Sequence, residues 1–209
     1  MKGRFAGVLE TIGNTPLVEI RKLNPNPGVR IFAKLESFNP GGSVKDRPSL
    51  YMIKRAEERG ELTRDKVILE ATSGNTGIGL ALVAAAKGYR LCLTLPESAS
   101  DERKKILKAL GAELRFTPAA LGTDGAIEEA YAIKRENPDR YFLVDQFNNE
   151  DNIAAHYHGT AVEIWEQTGG EITMFVAALG TSGTAMGCAR RLKEYNPAIR
   201  IVGVEPYMG

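Results

Sequence analysis

The stretch KVILEATSGNTGIGLALVAAAKG, Lys66 to Gly88, decides the fold. It opens on an apolar run rich in β-branched residues, KVILEAT, which predicts a buried strand. SGNTG follows as a turn. IGLALVAAAKG then predicts a helix stopped by Gly88. Working outward, the same alternation recurs. YRLCLTLP (Tyr89–Pro96) is a strand ended by proline. SDERKKILKALG (Ser100–Gly111) is a helix with a serine cap, acids in its first turn and basic residues later. AELRFTP is a strand, TDGAIEEAYAIKRENP (Thr123–Pro138) a helix and RYFLVDQF a strand. DNIAAHYHGTAVEIWEQTGG (Asp151–Gly170) predicts one helix with an aspartate cap and a glycine stop. TMFVAALG, SGTAMGCARRLKEYNP and AIRIVGVEP complete the series as strand, helix and strand. Strands alternating with helices of this length predict an α/β fold with a mostly parallel sheet.

The N-terminal part follows another pattern. TPLVEIRKL and RIFAKLES are short strand-like runs joined by the turn-rich NPNPG (Asn24–Gly28), which predicts a hairpin. A hairpin followed by a parallel sheet implies two sub-structures without a long linker between them.

Composition narrows the function. The 209 residues suit one or two compact domains. Lys and Arg number 27 against 26 Asp and Glu, a net charge of +1. That balance leaves no basic footprint for nucleic acid. The longest apolar run, IGLALVAAA (Ile78–Ala86), is too short to span a bilayer. The start, MKGRFAGVLETIGNTP, lacks the apolar core of a signal peptide. Cys92 and Cys188 lie far apart with no CxxC spacing, which fits buried thiols in a reducing, cytoplasmic setting rather than a disulfide or a metal site. His156 and His158 stand two apart on a predicted helix and face different ways, so no metal is expected.

Two glycine loops and one lysine carry the chemistry. ATSGNTGIG (Ala71–Gly79) and LGTSGTAMG (Leu179–Gly187) each follow an apolar strand and open a helix. Free backbone N–H groups and the helix dipole favour an anion there. A single such loop is most simply a turn and cap; two near-duplicates shift the balance toward two anion sites. Neither matches G-x-G-x-x-G, and no G-x-x-x-x-G-K-[ST] occurs, so NAD and ATP are disfavoured. In NPGGSVKDRP (Asn39–Pro48), Lys45 sits at a tight turn before a helix, where the dipole disfavours a positive charge. An amine between a phosphate site and a carboxylate site is what pyridoxal 5'-phosphate with an amino-acid substrate would require. The residues alone leave open which loop takes which anion.

TIGNTPLV (Thr11–Val18), NPGGSVKDR, ATSGNTGIGLA, GTSGT and VGVEP, in this order along essentially the whole chain, resemble the cysteine synthase (O-acetylserine sulfhydrylase) family. That family belongs to the tryptophan synthase β-like, fold type II pyridoxal phosphate enzymes. GGSVKDRP and GTSGT look more like its cysteine synthase B or cystathionine β-synthase branches. The resemblance implies two three-layer αβα sub-domains. Residues 1–40 and 150–209 would form the larger, incomplete one, and 41–149 a smaller mobile one. It implies that Lys45 holds the cofactor as a Schiff base and acts as general base. Asn75 would meet the pyridine ring's phenolic oxygen. Thr72, Ser73, Gly74, Asn75 and Thr76, with Gln146, would bind the substrate carboxylate. Gly180, Thr181, Ser182, Gly183 and Thr184 would cradle the cofactor phosphate. The implied reaction is a β-replacement that makes L-cysteine from O-acetylserine and sulfide or thiosulfate. A homodimer is implied, and in some members the cleft holds the tail of serine acetyltransferase.

The sequence departs from the family at VGVEPYMG, where family members continue into further strands and helices, including a hydroxyl that contacts the pyridine nitrogen. The chain is therefore expected to be truncated relative to the family. Cystathionine β-synthase, an O-phosphoserine sulfhydrylase and a serine/threonine dehydratase are the alternatives on this scaffold. An inactive binding module is the alternative from another class.

Overall fold

The computed structural model describes residues 4–207. Residues 1–3 and 208–209, the outer ends of the stretches expected to form the larger sub-domain, lie outside the described residues. Strands β1 (Leu17–Glu19) and β2 (Phe32–Lys34) form the expected antiparallel hairpin, with Leu17 opposite Lys34. The ladder is short because the connection is held by its own side chains. Asn26 accepts from the Gly28 N–H at 2.9 Å, and Asn24 donates to the Val29 carbonyl.

Helix α1 (Asp46–Glu58) leads into a parallel sheet. Its strands are β3 (Val67–Ala71), β4 (Arg90–Pro96), β5 (Glu113–Thr117) and β6 (Tyr141–Leu143), in spatial order β5-β4-β3-β6. Every residue of β3 is buried, as suits a central strand covered on both faces; all are apolar but Glu70. Helices α2 (Asn75–Lys87) and α3 (Asp101–Ala109) pack with α1 on one face. There Met52, Ile53, Ile68, Leu80, Leu93 and Leu107 close the main core. Helix α4 (Gly122–Glu136) covers the other face through Ala126, Ala130 and Ile133 against Val67, Leu69 and Cys92. Period-two alternation along β3 sends Ile68 to one core and Val67 and Leu69 to the other.

The order β5-β4-β3-β6 reverses direction between β3 and β6. In open parallel sheets, ligands bind beyond the carboxyl ends of the strands at such a reversal. The SGNTG turn and Gln146 follow the carboxyl ends of these two strands.

The predicted helix over 151–170 is more elaborate. Helix α5 (Glu150–Ala155) is capped by the Asn149 side chain, which accepts from the Asp151 N–H at 3.0 Å. A π-helical turn spans His156–Thr160, and α6 (Ala161–Gln167) continues the helix. The cap is thus Asn149 rather than Asp151. Strand β7 (Met174–Ala178), helix α7 (Gly183–Tyr195) and strand β8 (Arg200–Val204) form a βαβ unit with β7 and β8 parallel. Cys188, Leu192, Ile199 and Ala161 form its core, with Trp165 stacked on Tyr195 at 4.8 Å. Cys92 and Cys188 are free, buried thiols, as expected.

Candidate active site

Lys45 is the residue just before α1, and its turn is tightly built. The Asp46 carboxylate accepts from the Gly41 N–H at 2.5 Å, and Gly42 takes a left-handed φ of 82°. A Cβ at Gly41 would collide with that carboxylate, which explains glycine there. Gly79 of α2 lies against the same turn: a Cβ on it would stand 3.0 Å from the Lys45 carbonyl oxygen and 2.7 Å from Ser49 Oγ. The close approach of α1 and α2 therefore depends on Gly79. Burial pushes the Lys45 ammonium pKa down, and no counter-charge among the described residues opposes it. An amine in this state gives up its proton more readily than a surface lysine.

Arg47 locks the segment in place. Its guanidinium forks onto Glu36, with Nε donating at 2.6 Å and Nη2 at 2.9 Å, and onto Glu163, with Nη1 at 2.6 Å and Nη2 at 2.7 Å. Its side chain is 5% exposed. Lys34 Nζ also meets Glu163, at 2.6 Å. Burial alone would raise the Glu163 pKa, but Arg47 and Lys34 hold it at about 2. Removing one partner of such a buried cluster costs about 3–5 kcal/mol. The TIGNTPLV stretch feeds the same cluster. The Asn14 N–H donates to Glu163 at 2.9 Å, from a backbone with φ of 88° at Gly13 and 47° at Asn14. This motif anchors the lysine segment to α6.

The loop over 72–76 joins β3 to α2. The Gly74 N–H donates to Thr72 Oγ1 at 3.1 Å, and Arg103 donates to the Ser73 carbonyl at 2.7 Å. Among the described residues, the N–H groups of Ser73, Asn75 and Thr76 are uncommitted. The Thr76 hydroxyl donates to Gln146 Oε1 at 2.7 Å. Its proton is spent there, so toward an anion Thr76 offers its backbone N–H. Asn75 is exposed at the head of α2.

The second loop has the same construction at the carboxyl end of β7. Ser182 has a left-handed φ of 63°, uncommon for a residue with a Cβ. Among the described residues, no hydrogen bond occupies the N–H groups of residues 180–185. They form a run of donors at the head of a long helix.

Buried side chains tie these parts together. Asn152 Nδ2 donates to the Gln146 carbonyl and to Thr181 Oγ1, each at 2.9 Å. Thr76, Gln146, Asn152 and Thr181 thus link one loop to the other. His156 Nε2 lies 3.2 Å from Thr184 Oγ1, and Nδ1 lies 2.9 Å from Thr160 Oγ1. Burial first, then the charges of Arg47 and Lys45, push its pKa down to about 3, so the ring is neutral. His156 thus ties the second loop to the π-helical turn through Thr184. The structure therefore links the residues at 72–76, Gln146 and those at 180–184, and packs the Lys45 turn against α2 at Gly79. Sequence reasoning missed Asn152 and Glu70 and gave His156 no role in the site. Their type and spacing carry no motif, and their roles arise only where distant segments meet.

The donor set fits pyridoxal phosphate. A phosphate would find the free N–H groups of 180–185, and an aldehyde would find the partly buried Lys45 amine, unpaired among the described residues. No grouping of His, Cys, Asp and Glu suited to a metal occurs among the described residues. No helix is long and apolar enough to cross a membrane among them.

Known proteins resemble this chain along nearly its whole length. The family profile described as pyridoxal-phosphate dependent enzyme matches residues 8–209. A cysteine synthase of Aquifex aeolicus is 52% identical over 95% of this chain and 62% of its own length. A cysteine synthase B of Pseudomonas aeruginosa is 48% identical over 100% of this chain and 69% of its own. The crystal structure of a cysteine synthase from Entamoeba histolytica superposes with a TM-score of 0.95 at 48% identity, covering 98% of this chain and 62% of that one. The chain thus spans roughly two thirds of the length of these relatives, 62–69%.

Proposed function

Because the chain belongs to the pyridoxal-phosphate dependent enzymes, we propose that it carries the catalytic core of a cysteine synthase. The reaction is β-replacement on O-acetylserine with sulfide. The observation that carries this reading is a partly buried Lys45 amine with no ionic partner among the described residues, on a turn packed against α2, together with two helix heads whose N–H groups are free. When bound, the cofactor supplies the electron sink that makes Cα–H loss and departure of the β-acetate feasible. The chain's own residues do the rest. The N–H groups of residues 180–185 would hold the phosphate at the positive end of the α7 dipole. Ser73, Asn75 and Thr76 hold the substrate carboxylate through N–H groups, with the Gln146 amide beside them. Asn75 would also hold the cofactor's phenolic oxygen. The Lys45 amine takes the proton from Cα and returns it, a task suited to its lowered pKa.

Residues 41–149 are read as a smaller, mobile unit and 1–40 with 150–209 as a larger one. Support comes from the four-stranded sheet, which draws every strand from Val67–Leu143, while β7 and β8 pair separately. Closure of the smaller unit on a bound carboxylate would exclude water from the site. A cytoplasmic homodimer, with serine acetyltransferase as a partner, completes the proposal.

The test is reduction with borohydride after addition of pyridoxal phosphate, followed by peptide mapping. A pyridoxyl adduct on Lys45, lost in a folded Lys45→Ala protein, is expected. An adduct elsewhere, or none, overturns the assignment. The same preparation, assayed with O-acetylserine and sulfide and then with homocysteine in place of sulfide, separates cysteine synthase from cystathionine β-synthase chemistry. Its sedimentation mass reports the dimer.

A further inference from the structure

Glu70, the penultimate residue of β3, is 2% exposed. Burying a carboxyl group at the centre of a sheet is costly unless its oxygens are paired or hydrogen-bonded. Its Oε1 accepts from Gln146 Nε2 at 3.0 Å, while Oε2 is buried with no hydrogen-bond partner among the described residues. Gln146 Oε1 in turn accepts from the Thr76 hydroxyl at 2.7 Å. Three side chains thus form one directed chain running into the loop over 72–76.

We propose that Glu70 is a positioning residue for that loop, acting through the Gln146 amide. The inference rests on reading 72–76 as the carboxylate loop. A primary amide has one donor end and one acceptor end. With Glu70 accepting, the NH2 of Gln146 points at Glu70, its oxygen points at Thr76, and the Thr76 proton is held inside the chain. The second N–H of Nε2 stays available to a ligand. With Glu70 protonated and donating, the amide reverses: Nε2 donates to Thr76 and frees the Thr76 hydroxyl proton for the loop. Glu70 therefore selects which donors a carboxylate meets. Burial, opposed by its hydrogen bonds from Gln146, raises the Glu70 pKa to about 8, so both states are reachable in solution. The ionisable groups acting with it are Asp145, beyond β6, and the Tyr131 phenol on α4, which donates to Asp145 at 2.7 Å.

The test is 15N NMR of the Gln146 side-chain amide across a pH titration, in the wild-type chain, Glu70→Gln and Glu70→Ala. The wild-type resonance should move in a transition near pH 8. Glu70→Gln keeps an oxygen for Gln146 but does not titrate, so the transition should vanish while the rest of the spectrum persists. In the cofactor-loaded enzyme, Glu70→Ala should raise KM for O-acetylserine about tenfold with kcat within about twofold, as loss of one orienting hydrogen bond predicts. Glu70→Gln should recover most of that loss. A Gln146 resonance that does not titrate, or that titrates alike in Glu70→Gln, overturns the proposal. If O-acetylserine leaves the backbone signals of Asn75 and Thr76 unmoved in the wild type, the carboxylate-loop reading falls on its own, separately from the Gln146 titration.

Discussion

His156 shows how one residue can serve the site without touching the chemistry. It is buried, neutral and wedged between the hydroxyls of Thr160 and Thr184. Its pKa falls from 6.5 in the unfolded chain to about 3 in the folded one. The unfolded state therefore binds the extra proton first as pH drops, and folding stability is lost progressively from pH 6.5 toward 3. Glu163, held at about 2 against an ordinary 4.5, adds a second loss at lower pH with the same sign. Denaturant unfolding curves measured across this range should show the first loss in the wild type and a shallower one in His156→Gln. Parallel curves for the two proteins would refute the role given to His156. Residues of this kind were the hardest to read from sequence. Lys45 and the two loops lie in glycine-rich contexts that restrict what they can be. Glu70 in ILEAT and His156 in AAHYHG sit in ordinary strand and helix text, and their burial depends on what packs against them.

At the scale of elements, helix and strand patterns located each main element, because alternation of apolar runs with capped helices is a local property of the chain. The interruption of the helix over 150–167 was not legible in this way. A π turn adds one residue to a helical turn without altering its composition, and such turns often accompany functional sites. Here it lies where α7 crosses. A Cβ on Gly187 would stand 2.7 Å from His156 Cβ and 2.9 Å from the Tyr157 nitrogen, and closer still to the Ile153 carbonyl oxygen. Alanine is the better helix former by about 1 kcal/mol. Overpacking against backbone typically costs about 1–3 kcal/mol, and here no flexible side chain can yield. Gly187→Ala should therefore destabilise the protein by about 1–2 kcal/mol, read from the denaturation midpoint. A stabilised variant would mean that the crossing is looser than the structure has it.

The whole molecule joins segments that are close and segments that are far apart in the chain. The four-stranded sheet takes every strand from Val67–Leu143. The Arg47 cluster, by contrast, joins Asn14 to Glu163 and Lys34 to Gln167, at separations of 149 and 133 residues. Closing a long loop costs entropy before its contacts repay it, and chains rich in distant contacts fold more slowly. Assembly should thus have an order in time. In pulse-labelling hydrogen exchange during refolding, the amides of Leu69 and Leu93 should gain protection before that of Asn14. Simultaneous protection would show that the two regions form as one. Lys45 lies between them, fixed on one side by the sheet's helices and on the other by the Arg47 cluster. Its surroundings are then complete only when the slowest contacts have formed, so a nascent or half-folded chain would hold its reactive amine in no fixed place.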